Sequence, residues 1–429
     1  MPRLEVARKL KAPRHDPEQR FTCGQCTRCC RNFDLPVTAA EVGALRHPAL
    51  ARLWSAEATL SAGGQDPPHD PVATLPGGMF QLRRRSDGSC GFLAEDGACR
   101  IHAERGSDRK PLACRLFPFR VHPQDGPLLI TASFSCPSVA TNTGAPLASQ
   151  LGEISALGKD WLRAFPQEPL SLRFTAGRPL SLELAKEIRE TLLGLLDRKD
   201  EEGRRDLRAN AARMAALLDD WTRHRVGKLP PDAFAEYVRL TGRFAVNSAK
   251  PVPNVRASRV GRLLLRGFLL AVVAGRLQAA APRRGLRLAL RARLLRVTLH
   301  LHGLWPATEG IDYQALRRVR VPLDEPALHS LIHHFLRSTL ETLPTGRRSL
   351  VDELSWAFAT LDAALALGAM AAARRGSDTA SSEDVIAGLT EAADLAQAAS
   401  HGSLGPLLQS LTGGLDALHR FATGHGGKA

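Results

Sequence analysis

The chain has 429 residues, 44% hydrophobic and 24% charged, and a formal net charge of +15. That balance describes an ordinary globular protein with room for two or three domains. The apolar run 267–275, between Arg266 and Arg276, falls well short of the roughly 20 residues of a membrane span, so no transmembrane segment is expected.

The N-terminal stretch 1–20 is charged and lacks the apolar core of a secretory signal, so a cytoplasmic location is expected. Cys23, Cys26, Cys29 and Cys30 follow at once, and Cys90, Cys99, Cys114 and Cys136 complete the chain's cysteines. Disulfides need an oxidising compartment, and adjacent cysteines such as Cys29 and Cys30 rarely pair. Inert core thiols would scatter along the chain, whereas these stop at Cys136. A C-x2-C turn brings two thiolates within reach of one metal ion or cluster. Metal binding through all eight cysteines is therefore the reading that spacing favours.

The metal is zinc or iron, with a four-iron, four-sulfur cluster among the candidates. Cys23, Cys26 and Cys29 resemble the opening of a ferredoxin run, and the distant Cys136-Pro137 pair can close it. Cys30, Cys90, Cys99 and Cys114 then form a second set of four. His102, three residues after Cys99, can replace one thiolate, although a surface position suits it better.

Local signals place these ligands. Thr38 and Glu41 have capping-box spacing, which predicts a short helix ending before Pro48. Residues 61–78 are rich in Gly and Pro and read as a loop. MFQLRRR and the turns SDGSC and EDGAC predict short strands or irregular turns holding Cys90 and Cys99. Residues 128–136 predict a strand delivering Cys136.

The segments CGQCTRCCR from Cys23, SCGFLAEDGACRIHAERG from Ser89 and RKPLACRLFPF from Arg109 resemble the YkgJ-type cysteine-cluster family. That family's domain is described as zinc- or iron-chelating, so the resemblance implies metal chelation. Lys110 stands between Arg109 and Pro111, where the family pattern has Arg-Pro directly. Arg115, next to Cys114, is expected to stabilise thiolate charge and donate hydrogen bonds to sulfur. Phe117 and Phe119 are expected to exclude water. A cysteine block ahead of a long helical region is also similar to the layout of flagellin lysine-N-methylases, which implies a protein-modifying activity.

Beyond about residue 145 the texture becomes helical. Apolar spacing predicts helices at 181–200, 206–224, 328–343, 349–375 and 381–399, separated by short breaks as in packed antiparallel helices. The tail FATGHGGKA is expected to be disordered. His329 and His333 share a helix face, but without a partner glutamate they read as ordinary solvent or core histidines, as do His300 and His302.

No acidic residue lies between Glu236 and Glu309, so this interval carries nearly all of the net charge. Within it Arg259, Arg262 and Arg266 share one helical face, and Arg284, Arg287 and Arg291 repeat the arrangement. Such a face suits an anionic partner: an acidic protein, a membrane surface or nucleic acid. A solvated arginine face is the competing reading.

The expected fold is mainly α: a small irregular α+β cysteine-cluster metal-binding domain at 1–145, a helical region at 146–250, and a helical domain at 251–420 with its basic face at 256–296. The expected function is metal-ion or iron–sulfur cluster binding, with the helical region contacting a partner. The alternative is a cluster-dependent protein-modifying enzyme such as a protein lysine N-methyltransferase.

Overall fold

A computed structural model describes residues 12–54, 70–75, 77–85, 87–123, 127–166, 171–248, 318–343, 345, 348–401 and 416–423. The chain divides into two units, Met1–Glu168 and Pro169–Ala429. Among the described residues the first is irregular, with short strands and mostly short helices, and the second is helical apart from one small hairpin. The mainly α fold class is as the sequence predicts.

In the first unit, strand β1 (Arg20–Phe21) leads into helix α1 (Arg28–Asn32) and strand β2 (Pro36–Val37). Helix α2 (Ala39–Arg46) has the predicted capping box. The Glu41 amide donates to Thr38 Oγ1 at 3.3 Å, and the Thr38 amide donates to Glu41 Oε2 at 2.8 Å. The helix ends before Pro48, which opens the short helix α3 (Pro48–Ala51). Strands β3 (Val72–Thr74) and β4 (Phe80–Leu82) complete a three-stranded antiparallel sheet of order β2-β4-β3. β3 lies inside the predicted loop 61–78: Val72 and Ala73 are buried against the sheet, and that packing outweighs the surrounding Gly and Pro.

Helices α4 (Arg100–Arg105) and α5 (Leu112–Leu116) precede the hairpin β5 (Phe119–His122) and β6 (Leu129–Ala132), whose register runs from Phe119↔Ala132 to His122↔Leu129. The predicted strand ending at Cys136 therefore stops at Ala132, and a turn carries the chain on to Cys136. Helix α6 (Pro137–Ala140) and strand β7 (Ala145–Pro146) follow, β7 pairing back onto β1. Helix α7 (Leu151–Ala164) packs on α5 and β5. The core of this unit gathers Phe33, Leu35, Val42, Leu45, Trp54, Val72, Phe92 and Ile101.

The second unit opens with the hairpin β8 (Arg173–Thr175) and β9 (Arg178–Pro179). Helices α8 (Leu182–Leu196) and α9 (Leu207–Thr222) are capped by Ser181 and Asp206. Helix α10 (His224–Gly227) and helix α11 (Pro231–Asn247) follow. Helices α12 (Pro326–Thr342), α13 (Leu350–Arg374) and α14 (Ser382–His401) match three of the predicted helices within two residues at each end. Helix α15 (Asp416–Thr423) corrects part of the disordered-tail expectation. Its Leu418 and Phe421 are buried, and the Phe421 ring lies 5.7 Å from that of Phe358.

α13 is long and apolar enough to cross a membrane by length and composition alone. It lies within the second unit against α14 and α15, and it buries Glu353 and Asp362. Its apolar surface is thus used in core packing. Arg259, Arg262, Arg266, Arg284, Arg287, Arg291, His300 and His302 lie outside the described residues.

One ion pair in this unit gives its stability an acid limb. The Arg375 guanidinium hydrogen-bonds both carboxylate oxygens of Asp384, which also accepts from the Ser381 amide at 2.9 Å. These bonds, Arg375 first, lower the Asp384 carboxyl from its ordinary 3.8 to about 2. A depressed carboxylate stabilises the fold fully above its unfolded value and loses that contribution as pH falls through the folded one. The second unit is therefore expected to weaken as pH falls from about 4 towards 2, and Asp384→Asn to flatten that slope. Urea midpoints measured across this range check it.

Candidate metal centre

Each cysteine is held by a local device that the sequence encodes. Cys90 and Cys99 sit at the ends of two copies of one turn, Asp87-Gly88-Ser89-Cys90 and Asp96-Gly97-Ala98-Cys99. In the first, Asp87 Oδ1 accepts from the Ser89 amide at 2.8 Å; in the second, Asp96 Oδ1 accepts from the Ala98 amide at 2.8 Å. Gly88 and Gly97 take φ of 83° and 85°, the left-handed position that closes a short hairpin loop. The turn bonds also match: Arg85 N donates to Ser89 O, and Ala94 N to Ala98 O, each at 2.8 Å. Each turn thus presents a cysteine at the start of its returning limb, opposite Arg84 and Leu93 respectively.

Cys29 and Cys30 share the single turn of α1, their sulfurs 4.0 Å apart. The Cys90 amide donates to the Cys30 carbonyl at 2.7 Å, which ties the first of the twin turns to α1. Cys114 sits on α5, whose first amide, that of Leu112, donates to Glu41 Oε1 at 2.6 Å. The capping-box glutamate of α2 thus also fixes the helix that carries a ligand candidate.

Five thiols, those of Cys29, Cys30, Cys90, Cys99 and Cys114, pack against one apolar cluster together with Phe117. The Phe117 ring lies 4.9 Å from Phe33. The Cys30 hydrogen bond and then burial raise the Cys29 thiol well above its ordinary value. Burial pushes Cys90 up to about 11, with Cys99 adding to the rise. Burial also raises Cys114, with Cys90, Cys99 and Cys29 contributing in the same direction.

The other three thiols lie elsewhere. The segment before Cys23 is strapped to the segment after Cys136. The Arg20 amide donates to Asn142 Oδ1 at 2.7 Å, and the Gly24 amide to Ser138 Oγ at 3.2 Å. Burial raises the Cys136 thiol, and the nearby Cys26 and Cys23 add to it. Cys23 and Cys26 are exposed, while Cys136 is buried. Between Cys23 and α1 the chain passes through left-handed conformations at Gln25 (φ 51°) and Thr27 (φ 60°), uncommon for residues with a side chain.

The grouping differs from the one expected. Cys29 joins Cys30 rather than Cys23 and Cys26, because α1 carries both adjacent thiols to the apolar cluster. All eight cysteines are free of disulfides. Among the described residues no three His, Cys, Asp or Glu side chains converge on a ready-made metal position. The donor set nevertheless fits zinc or iron: clustered thiols in apolar surroundings are the ligands such metals take. The 4.0 Å between Cys29 and Cys30 is close to the roughly 3.8 Å edge of a tetrahedron with 2.3 Å metal–sulfur bonds.

The expected supporting residues are placed as follows. Arg115 and His102 are exposed. Phe117 lies beside the five-thiol group, whereas Phe119 is buried edge-on against Phe21, with ring centroids 5.1 Å apart. The cation that bears on both Cys29 and Cys114 is Lys110, the residue that departs from the family pattern. Arg84 and Arg85 bear on Cys90, and both also brace its turn: Arg84 donates to the Arg31 carbonyl at 3.0 Å and to Gly88, and Arg85 to the Gly91 and Leu93 carbonyls. Sequence reasoning missed all three. The twin Asp-Gly-x-Cys turns, each with residues pairing back across it, were the available signal for the arginines.

The three histidines of α12 are bonded into the second unit. His333 and His334 are buried on α12. His333 Nε2 lies 2.7 Å from Asp197 Oδ1, and Arg337 bonds the other oxygen. Against the cost of burial, these two partners hold Asp197 below the usual carboxylate range. His329 Nε2 lies 2.6 Å from the Arg205 carbonyl oxygen, so both i, i+4 histidines are spent on packing bonds.

Residues 22–136 match the family model CxxCxxCC, described as a putative zinc- or iron-chelating domain. The matched segment begins just before Cys23 and ends at Cys136, so it contains every cysteine of the chain. No curated protein and no solved structure matches the chain.

Proposed function

We propose, on the premise that residues 22–136 are a member of the CxxCxxCC family of zinc- or iron-chelating domains, that the chain is a thiolate metal protein whose helical unit serves a partner. The observation that carries this reading is the gathering of Cys29, Cys30, Cys90, Cys99 and Cys114 on one apolar cluster without a disulfide. Lys110, Arg84 and Arg85 supply positive charge where bound thiolates need it. When bound, the metal contributes folding free energy to a unit whose backbone is largely irregular. Free thiols in this number suit a reducing compartment, so the reading includes a cytoplasmic location.

Zinc or iron ions suit the five-thiol group directly. A four-iron cluster on Cys23, Cys26, Cys29 and Cys136 would require Cys29 to leave the apolar cluster, which disfavours that ligand set. The basic interval 237–308 would offer its arginines to an anionic partner. A second reading, a protein lysine N-methyltransferase, is favoured by the two-unit layout alone.

Protein purified without oxygen tests the main reading. It is expected to carry zinc or iron in at least stoichiometric amount, and labile sulfide tells a cluster from an ion. Fully folded protein with neither metal would sink it. Binding of S-adenosylmethionine to the same preparation would favour the enzyme reading instead.

A further inference from the structure

The cysteines occupy two places that differ in kind. Around α1, five thiols arrive from four separate pieces of backbone: α1 itself, the two Asp-Gly-x-Cys turns and α5. Each piece is fixed by bonds of its own: Cys90 N to Cys30 O, the Asp87 and Asp96 turns, and Leu112 N to Glu41. All five are half-buried or buried and share the Phe33, Phe92 and Phe117 surroundings. A tetrahedral ion needs four ligands, so this group carries enough thiols to close around one once their side chains turn inward.

The second place has three thiols. Cys23 and Cys26 lie on an exposed loop and Cys136 at the start of α6, held together by the Gly24–Ser138 bond and the β1–β7 pairing. The chain between Cys23 and Cys29 bends twice through left-handed backbone, at Gln25 and at Thr27. The second bend lies between Cys26 and Cys29 and separates the two groups. Local strain of this kind persists where the surroundings enforce a special geometry.

We infer that the chain holds two metal sites of different character: a closed inner site formed from Cys29, Cys30, Cys90, Cys99 and Cys114, and an open outer site formed by Cys23, Cys26 and Cys136. This inference rests on the thiolate reading above and divides its ligands. Three protein ligands leave one tetrahedral position to water or an incoming donor, the arrangement of reactive rather than structural zinc sites. Two of the outer thiols face solvent, so the outer metal exchanges with solution while the inner one is retained. The external fourth ligand is of the class such a metal prefers: a thiol, an imidazole or water.

Cobalt(II) titration of the metal-free, reduced full chain tests this, read by thiolate-to-metal absorption with a competing chelator present. The unaltered chain is expected to bind in two phases, one resisting the chelator and one yielding to it. Cys23→Ser and Cys136→Ser are each expected to remove only the labile phase. Cys99→Ser and, decisively, Cys29→Ser are expected to leave the labile phase and weaken the resistant one, since each leaves only four inner thiols, with circular dichroism confirming that each variant keeps its helix content. A single phase in the unaltered chain overturns the inference even if every variant misfolds. Grouping of Cys29→Ser with Cys23→Ser overturns it too. Absence of any cobalt, zinc or iron binding overturns the thiolate reading itself, which distinguishes the two failures.

Discussion

Cys114→Ser is expected to weaken the first unit's hold on its inner metal and to lower its stability by about 3 kcal/mol in metal-replete buffer. The size follows from linkage. A structural zinc contributes roughly 10–16 kcal/mol of apparent binding energy to small zinc domains, so losing even a quarter of it is a large change. Cys114 is chosen because α5 is anchored independently of it. Glu41 Oε1 holds the Leu112 amide, and Leu112, Ala113 and Leu116 are buried around it. Serine should leave that anchorage intact while removing one sulfur. The check is thermal unfolding of parent and variant, each with and without chelator. The two should differ with metal and converge once metal is removed. An equal difference in both conditions would make Cys114 a packing residue.

Gly388→Val is expected to destabilise the second unit by about 3 kcal/mol, at the top of the usual range for overpacking, while leaving metal content untouched. α13 and α14 cross where neither helix has room for a larger side chain. A Cβ at Gly388 would stand 2.4 Å from the Ala364 carbonyl oxygen and 2.9 Å from the Gly368 amide nitrogen. A Cβ at Gly368 would meet Val385 Cγ2 at 3.0 Å. Backbone cannot yield as a flexible side chain can, so the helices must part and their buried faces lose dispersion contacts. Val385, Leu389 and Leu365 are all essentially inaccessible to solvent in this packing. Urea unfolding followed by helix content gives the loss, and elemental analysis gives the metal. Unchanged stability would contradict a crossing in which the two helices are in contact at Gly388 and Gly368.

Much of this architecture could be read from the chain. Ser181, Asp206 and Ser349 mark the starts of their helices because a side-chain oxygen there satisfies amides that the helix cannot. Thr38 and Glu41 did the same, although nothing in the sequence foretold that Glu41 would also receive the Leu112 amide. α11 escaped because its apolar residues fall on more than one face: Phe234 and Val238 are buried, but Leu240 and Phe244 are exposed. α7 was likewise not foreseen. The strand at Val72–Thr74 was hidden because its pairing partner, β4, lies across a Gly-containing turn that read as loop.

The candidate site divides along similar lines. That the eight cysteines form the site was legible from spacing, since C-x2-C turns and the Asp-Gly-x-Cys pair are local devices. Their grouping was not. Cys29 stands three residues after Cys26 and directly before Cys30, so spacing alone admits either grouping; the rotation of α1 and the bend at Thr27 decide its side, and both depend on tertiary packing. Lys110 looked like an interruption of a motif, yet its charge bears on Cys29 and Cys114.

Thiol labelling of the full chain, read residue by residue by mass before and after chelation, tests the central claim most directly. If the cysteines hold metal, the exposed Cys23 and Cys26 react more slowly in untreated protein than their accessibility alone would allow, chelator speeds their labelling first, and Cys29, Cys30, Cys99 and Cys114 become reactive only once the tightly held metal is also removed. A labelling pattern that follows solvent exposure alone and does not change with chelator would contradict the account.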